Sequence, residues 1–310
     1  MQNWSLERKI RVSQTRIIEF AQKTNNEIYV SFSGGKDSTV LLDMVRRVYP
    51  DTKAVFVDTG LEYPELRNFV KSVDNVVWLK PGMNFKKVIT TYGYPVISKE
   101  VARCIDVAQR HPNGRTAQLF NPYSDRVREK TEKYGRNWGR GYVKYQYLLD
   151  APFKISNKCC DVMKKKPTKK YTKETHTYPI IGTMACESKV RENAWLNTGC
   201  NIFDKTQSKC LPMSFWTEQD VLRYLKEFNV NYAQIYGDIE QQEDGKYYTT
   251  GLDRSGCVYC LYGIQLEKEP NRIQKLKSTH PQIYNFCLKS KHKGGLGIKD
   301  VLEYINVPYE

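Results

Sequence analysis

Two groups of residues in this chain have the types and spacing to do chemistry. The first is Ser33-Gly34-Gly35-Lys36-Asp37-Ser38. Paired glycines let the main chain curl tightly and keep side chains away from an incoming anion. The N–H groups of such a turn, and of a helix starting after it, point at that anion, and the helix dipole favours negative charge there. Lys36 adds a mobile positive charge, and Ser33 and Ser38 add hydroxyl donors. The turn reads as a phosphate-binding one, with an ordinary strand–helix turn as the alternative, but not of the G-x-x-x-x-G-K-[ST] kind, which occurs nowhere in the chain. The second group is Cys159-Cys160 with Cys257-x-x-Cys260. Four thiolates meeting in space satisfy a tetrahedral zinc ion or an iron–sulfur cluster.

Positioning the first group needs a strand before it and a helix after it. The apolar run Ile28-Tyr29-Val30-Ser31-Phe32 predicts a strand over 27–33, and Thr39–Val45 predicts a helix from the turn to about residue 48. A helix over 5–24 precedes them, with Leu6, Ile10, Ile17 and Phe20 as its apolar spacing. Lys53–Val57 reads as a second buried strand ending at Asp58-Thr59-Gly60, and Pro64 suits the first turn of the next helix. Further strands are expected at 75–79, 178–183 and 210–214. This alternation predicts an α/β fold, a Rossmann-like doubly wound parallel sheet. Ligands of such sheets sit beyond the carboxyl ends of the strands, so both Ser33–Ser38 and Asp58–Gly60 belong on one rim.

The chain has 310 residues, 40% hydrophobic and 27% charged, which makes it globular rather than disordered. No apolar run approaches the roughly 20 residues of a membrane span. The first residues lack the apolar core of a signal peptide. A soluble, cytoplasmic protein is expected, in which nine cysteines serve as thiols or metal ligands rather than disulfides. A net charge of +15 favours polyanionic partners.

Residues 111–150 break the strand–helix alternation. Arg115, Arg126, Arg128, Lys130, Lys133, Arg136, Arg140 and Lys144 interleave there with Phe120, Tyr123, Tyr134, Trp138, Tyr142, Tyr145 and Tyr147. Such a mixture stacks bases and neutralises phosphates, or else forms a partly helical lid with inward aromatics. A second basic run, Lys164-Lys165-Lys166 with Lys169, Lys170 and Lys173, reads equally as a solvated helix face. The expected division is a nucleotide-binding domain over 1–230 with an insertion at 111–150. A C-terminal segment over 231–310 then folds its Cys-x-x-Cys back onto Cys159-Cys160.

The Ser33–Ser38 turn resembles the pyrophosphate loop of the adenine nucleotide α-hydrolase superfamily, whose members cut ATP between the α and β phosphates. The resemblance narrows with four further motifs: Asp58-Thr59-Gly60-Leu61-Glu62-Tyr63-Pro64-Glu65; Gly182-Thr183-Met184-Ala185-Cys186-Glu187-Ser188 with Arg191; Pro212-x-x-x-Trp216-Thr217-x-x-Asp220-Val221; and Ser255-Gly256-Cys257-Val258-Tyr259-Cys260. Together with the cysteine pair they resemble the phosphoadenosine phosphosulfate reductase family, and most closely its sulfur-transfer branch, which includes DNA phosphorothioation proteins. The resemblance implies a [4Fe–4S] cluster on Cys159, Cys160, Cys257 and Cys260, with zinc as the alternative. It implies ATP and Mg²⁺ held by Ser33, Gly34, Gly35, Lys36, Asp37, Ser38, Asp58, Gly60 and Glu187. Lys36, Asp37 and Arg191 become the catalytic set, although Glu187 and Arg191 also have the spacing of an ordinary i,i+4 ion pair.

One departure matters. The family's reductases carry a nucleophilic cysteine in a Glu-Cys-Gly-x-His motif, and none occurs here; the last cysteine is Cys287. Sulfonucleotide reduction lacks its attacking thiolate without it. The favoured reading is therefore an ATP pyrophosphatase that adenylylates an acceptor, a nucleic acid (DNA or tRNA), for sulfur transfer from a donor such as a cysteine desulfurase. Sulfonucleotide reduction and a non-catalytic ATP-binding nucleic-acid effector are the alternatives.

Overall fold

The computed structural model describes residues 1–204 and 208–310, apart from the side chains of residues 138 and 139. The Trp138 side chain of the aromatic series is therefore outside what the structure describes. The chain forms two compact units, one of residues 1–81 and 164–258, the other of residues 82–163 and 259–310. Each is assembled from two stretches of chain, so the contacts do not follow one linear boundary. Ten strands occur in chain order among the described residues: β1 (Ile28–Ser31), β2 (Ala54–Val57), β3 (Val76–Leu79), β4 (Val96–Ile97), β5 (Tyr178–Ile181), β6 (Asn201–Ile202), β7 (Lys209–Cys210), β8 (Ile239–Gln241), β9 (Tyr247–Thr249) and β10 (Leu261–Tyr262).

The first unit holds a six-stranded sheet in the order β3-β2-β1-β5-β7-β6. All its pairings are parallel except that of β6 with β7. This is the expected α/β architecture. β1 is central, paired with β2 at Val30–Ala54 and with β5 at Val30–Ile180. Val30, Ala54, Val55, Phe56 and Ile180 are buried, as strands covered on both faces require. The helix Lys36–Arg46 follows β1 and buries Val40, Leu41, Leu42, Met44 and Val45. The helix Leu6–Lys23 is capped by Ser5 and buries Ile17, Phe20 and Ala21. The strand expected at 210–214 is shorter than that. It stops at Cys210, and Leu211–Ser214 turns, with Ser214 N–H donating to the Leu211 carbonyl at 3.2 Å. Pro212 has no N–H to continue the ladder.

The second unit pairs β4 with β10 in parallel, Val96 opposite Leu261 and Ile97 opposite Tyr262. Its helices include Phe85–Thr91, Lys99–Arg110, Asp125–Tyr134, Arg272–Thr279, Pro281–Leu288 and Ile298–Tyr304. Residues 111–150 belong wholly to this unit. Their aromatics divide: Phe120 is fully buried, whereas Tyr123, Tyr134 and Tyr147 are exposed. No helix among the described residues is long and apolar enough to cross a membrane.

Candidate nucleotide and thiol sites

β1 delivers the chain to the glycine turn. Gly34 has a φ of +74°, and a Cβ there would lie 2.6 Å from Leu66 Cδ2 and 2.7 Å from Val70 Cγ2. Glycine is required on both counts. Gly35 is the cap of the helix Lys36–Arg46 and supplies no capping side chain, so the first helical N–H groups depend on partners outside the helix. The Ser33 and Ser38 hydroxyls lie 3.1 Å apart, and Ser38 Oγ donates to the Gly35 carbonyl at 2.9 Å. These serines therefore staple the turn across its mouth. Lys36 N–H donates to Tyr236 Oη at 3.3 Å, and Tyr236 Oη lies 2.5 Å from Ser255 Oγ.

Lys36 is buried and its ammonium is engaged. Nζ lies 2.9 Å from Glu218 Oε1, donates to the Asp253 carbonyl, and sits 5.5 Å from the Tyr236 ring centre. Beside it, burial raises the Asp37 carboxyl above the ordinary carboxylate range, against the opposing pull of Lys36, Arg254 and Arg191. Asp37 Oδ1 is buried and has no hydrogen-bond partner. The unpartnered carboxylate oxygen is a hard donor of the kind that takes a divalent ion, and the cations around it favour the anionic phosphate chain with which such an ion arrives. Arg191 pairs with Glu187, which also faces Arg254 at 3.9 Å. Burial, then the neighbouring Arg254, lowers the Arg191 guanidinium from its usual value. Cys186 stands in the same field, its thiol pushed up by burial.

Lys36, Asp37, Glu187 and Arg191, all named from the sequence, lie in one neighbourhood, together with Glu218, Tyr236, Arg254 and Ser255, which the sequence reading did not name as site residues. A signal existed for three of them. Glu218 lies inside the Trp216-Thr217-x-x-Asp220 motif, and Arg254-Ser255 directly precedes Gly256-Cys257.

The second rim segment is organised by Glu62. Its buried carboxylate accepts from Thr59 N at 3.1 Å, Thr59 Oγ1 at 2.7 Å and Leu61 N at 3.2 Å, and faces Lys164 Nζ at 3.5 Å. Asp58 is held by Arg67 at 2.7 Å and by Gly60 N–H at 3.3 Å. A cleft of about 220 Å³ opens here at the carboxyl ends of β1 and β2, lined by Ser31, Ser33, Val57, Glu62, Lys164 and Thr168 among others. It adjoins the glycine turn through Ser33.

Cys159, Cys160 and Cys260 belong to the second unit, and Cys257 to the first. The Cys159 and Cys160 sulfurs are 3.9 Å apart. Burial raises the Cys260 thiol, and Cys160 raises it further. Burial pushes the Tyr262 hydroxyl up, and the charges of Cys159, Cys160 and Cys260 add to this. Tyr262 Oη is buried and makes no hydrogen bond of good geometry. Thiolates of this kind are the donors of sulfur-liganded metals, whose sulfurs accept hydrogen bonds. Among the described residues, however, no three His, Cys, Asp or Glu side chains are drawn together closely enough to hold a metal ion.

Comparison with known proteins agrees with these motifs. The phosphoadenosine phosphosulfate reductase domain model matches residues 27–116 and 75–261. An uncharacterised protein of Methanocaldococcus jannaschii is 24% identical over 90% of this chain and 51% of its own length. A second protein of that organism is 22% identical over 85% of this chain and 41% of its own length. The chain thus spans about half or less of these two relatives. Adenosine 5'-phosphosulfate reductase 2 of Bacillus subtilis is 21% identical over 73% of this chain and 74% of its own length. Among solved structures, the phosphoadenylyl-sulfate reductase of Candida auris in its phosphate complex aligns with a TM-score of 0.39 at 17% identity, covering 76% of this chain and 89% of that one. The U34-tRNA thiolase NcsA of Methanococcus maripaludis with its [4Fe–4S] cluster aligns with a TM-score of 0.40 at 14% identity, covering 98% and 80%. With the domain model running from β1 through both cysteine pairs, the chain belongs to the phosphoadenosine phosphosulfate reductase domain family.

Proposed function

We propose that this chain binds ATP at the Ser33–Ser38 turn and transfers AMP to an oxygen of a nucleic acid, as the activating half of a sulfur transfer. The observation that carries the reading is the helix Lys36–Arg46, which starts from Gly35 with no capping side chain, with Lys36, Arg191 and Arg254 gathered around Asp37. The acceptor oxygen attacks the α-phosphorus, the bond to the β-phosphate oxygen breaks, and pyrophosphate leaves with the electron pair. Hydrosulfide released by a separate donor then attacks the acceptor atom that carries the adenylylated oxygen; the bond from the acceptor to sulfur forms, the bond to that oxygen breaks, and AMP leaves with the oxygen and the electron pair.

The turn amides of Gly34 and Gly35 and the hydroxyls of Ser33 and Ser38 grip the phosphate tail. Lys36 exchanges Glu218 for the departing pyrophosphate, and Arg191 reaches the α-phosphate. Such groups act by fixed electrostatic stabilisation of charge that grows in the transition state. Magnesium, held through Asp37, would supply charge neutralisation along the phosphates. Asp58 and Gly60 border the adenosine, whose place is the cleft beside Glu62. Cys159, Cys160, Cys257 and Cys260 would hold the [4Fe–4S] cluster, or zinc; four cysteine ligands would leave its iron no open position, which suits a structural role.

Sulfonucleotide reduction is the second reading, favoured by relatives named as adenosine 5'-phosphosulfate reductases. It needs a thiolate. Cys287 is fully buried, and burial pushes its thiol up to about 12, which opposes that role. Pyrophosphate release from ATP, measured with and without nucleic acid, tests the first reading. Release that is stimulated by the acceptor and abolished in Lys36→Ala supports it; sulfite formation from a sulfonucleotide with no pyrophosphate release from ATP refutes it.

A further inference from the structure

The helix Lys166–Thr175 carries Lys166, Lys169, Lys170 and Lys173 at positions i, i+3, i+4 and i+7, which is one face of a helix. All four are exposed. The opposite side is seated on the sheet. Tyr171 packs edge-on against Tyr29 at 5.4 Å, and Thr172 Oγ1 lies 2.9 Å from Tyr29 Oη. Over residues 164–175 there are six lysines and one carboxylate, Glu174, which faces Lys170 at 3.7 Å. Like charges at these spacings cost a helix a few tenths of a kcal/mol per pair. The face thus opposes the helix's own stability, and among its four lysines Lys170 faces a carboxylate of its own helix.

The same segment reaches the nucleotide cleft. Lys164, Lys165 and Thr168, immediately before and within this helix, line the cleft at the carboxyl ends of β1 and β2. A ridge of positive charge therefore runs outward from the place assigned to the nucleotide. The helix has no exposed Phe, Leu or Trp flanking its lysines, as a membrane-surface helix would. We infer that this lysine face is a docking ridge for the phosphate backbone of a nucleic acid, leading the strand to the cleft where its activation would occur. The inference rests on the nucleic-acid acceptor proposed above and names the surface that holds it. Lysines at this spacing neutralise phosphates without reading bases, so the ridge gives affinity and placement and leaves sequence choice to other residues.

The test is fluorescence anisotropy of a labelled duplex oligonucleotide against the full chain, at several salt concentrations. In Lys166→Gln/Lys169→Gln/Lys170→Gln/Lys173→Gln the affinity at about 100 mM salt should fall at least about tenfold, and the slope of log affinity against log salt should flatten by about three. The four-arginine counterpart should bind as the wild type does. The paired variants Lys166→Gln/Lys170→Gln and Lys169→Gln/Lys173→Gln should each give about half the change in slope, and they decide the matter if the fourfold variant does not fold. Unchanged affinity and slope would overturn the inference. So would wild-type chain that binds phosphatidylserine vesicles but not the duplex. ATP cleavage without nucleic acid reports on the enzymatic reading separately, because none of these lysines belongs to the phosphate-gripping turn.

Discussion

Replacing Asp220 by alanine should unsettle both the fold and the loop lysine. Lys9 is 1% exposed, and its Nζ lies 2.6 Å from Asp220 Oδ2 and 2.5 Å from the Gln2 carbonyl. The same carboxylate accepts from Thr217 N and Thr217 Oγ1, both at 2.7 Å, completing the capping box of the helix Glu218–Glu227. Removing it strands a buried ammonium, which costs about 3–5 kcal/mol, and opens the helix cap, which costs about 1 kcal/mol. The two costs overlap through the shared oxygen, so a total near 4 kcal/mol is expected in urea denaturation. Lys9→Met/Asp220→Asn removes both charges and should recover most of that loss, since two neutral partners leave no isolated charge. The effect also reaches the site. Glu218 stands in the first turn of that helix, 2.9 Å from Lys36 Nζ, so folded Asp220→Ala should change ATP affinity as well. A loss under about 1 kcal/mol, or a double variant no better than Asp220→Ala, would refute the reasoning.

Three other expectations follow. Gly34→Ala forces a left-handed φ on a side chain that meets Leu66 and Val70, so it should lose about 2–4 kcal/mol of stability in urea melts and its ATP affinity in calorimetry; retention of both would contradict the turn's geometry. Asp37 binds its proton more tightly folded than unfolded, because burial raises its carboxyl. The folded state is therefore favoured below the ordinary carboxylate value near 4 and loses stability as pH rises from there through the raised value. Asp37→Asn should be more stable than wild type at neutral pH when no magnesium nucleotide is bound, and should lack that decline in melts taken across pH. Anaerobically purified chain should contain iron and acid-labile sulfide, and Cys159→Ser/Cys160→Ser should lose both; zinc in their place identifies the alternative metal.

The legible part of this molecule was local. Ser33–Ser38 announces itself because strand, turn and helix are contiguous, and their physics acts within a few residues. β2 and Asp58–Gly60 were readable for the same reason. Glu218, Tyr236 and Arg254 were not, because they reach Lys36 and Asp37 from roughly 200 residues away; the motifs beside Glu218 and Arg254 mark the segments but not which side chain turns to the loop. The short β7 shows another limit: an apolar run predicts burial, but Pro212 decides where the ladder ends. Residues 111–150 kept their two meanings in sequence because composition does not say which aromatics turn inward. Phe120 does, and Tyr123 does not. The Glu187–Arg191 spacing likewise fitted an ordinary ion pair, and they do pair; Arg254 close by is what adds a second cation to that pair.

The most direct measurement uses ATP labelled in its α-phosphate, incubated with the intact, metal-loaded chain and nucleic acid, with the products separated by chromatography. Label should appear in AMP or in an adenylylated acceptor, with an equal amount of pyrophosphate, and should stay in ATP when Lys36 is replaced by alanine. Label accumulating as ADP would mean that the turn directs cleavage at the γ-phosphate, and the account of how it holds the triphosphate would be wrong.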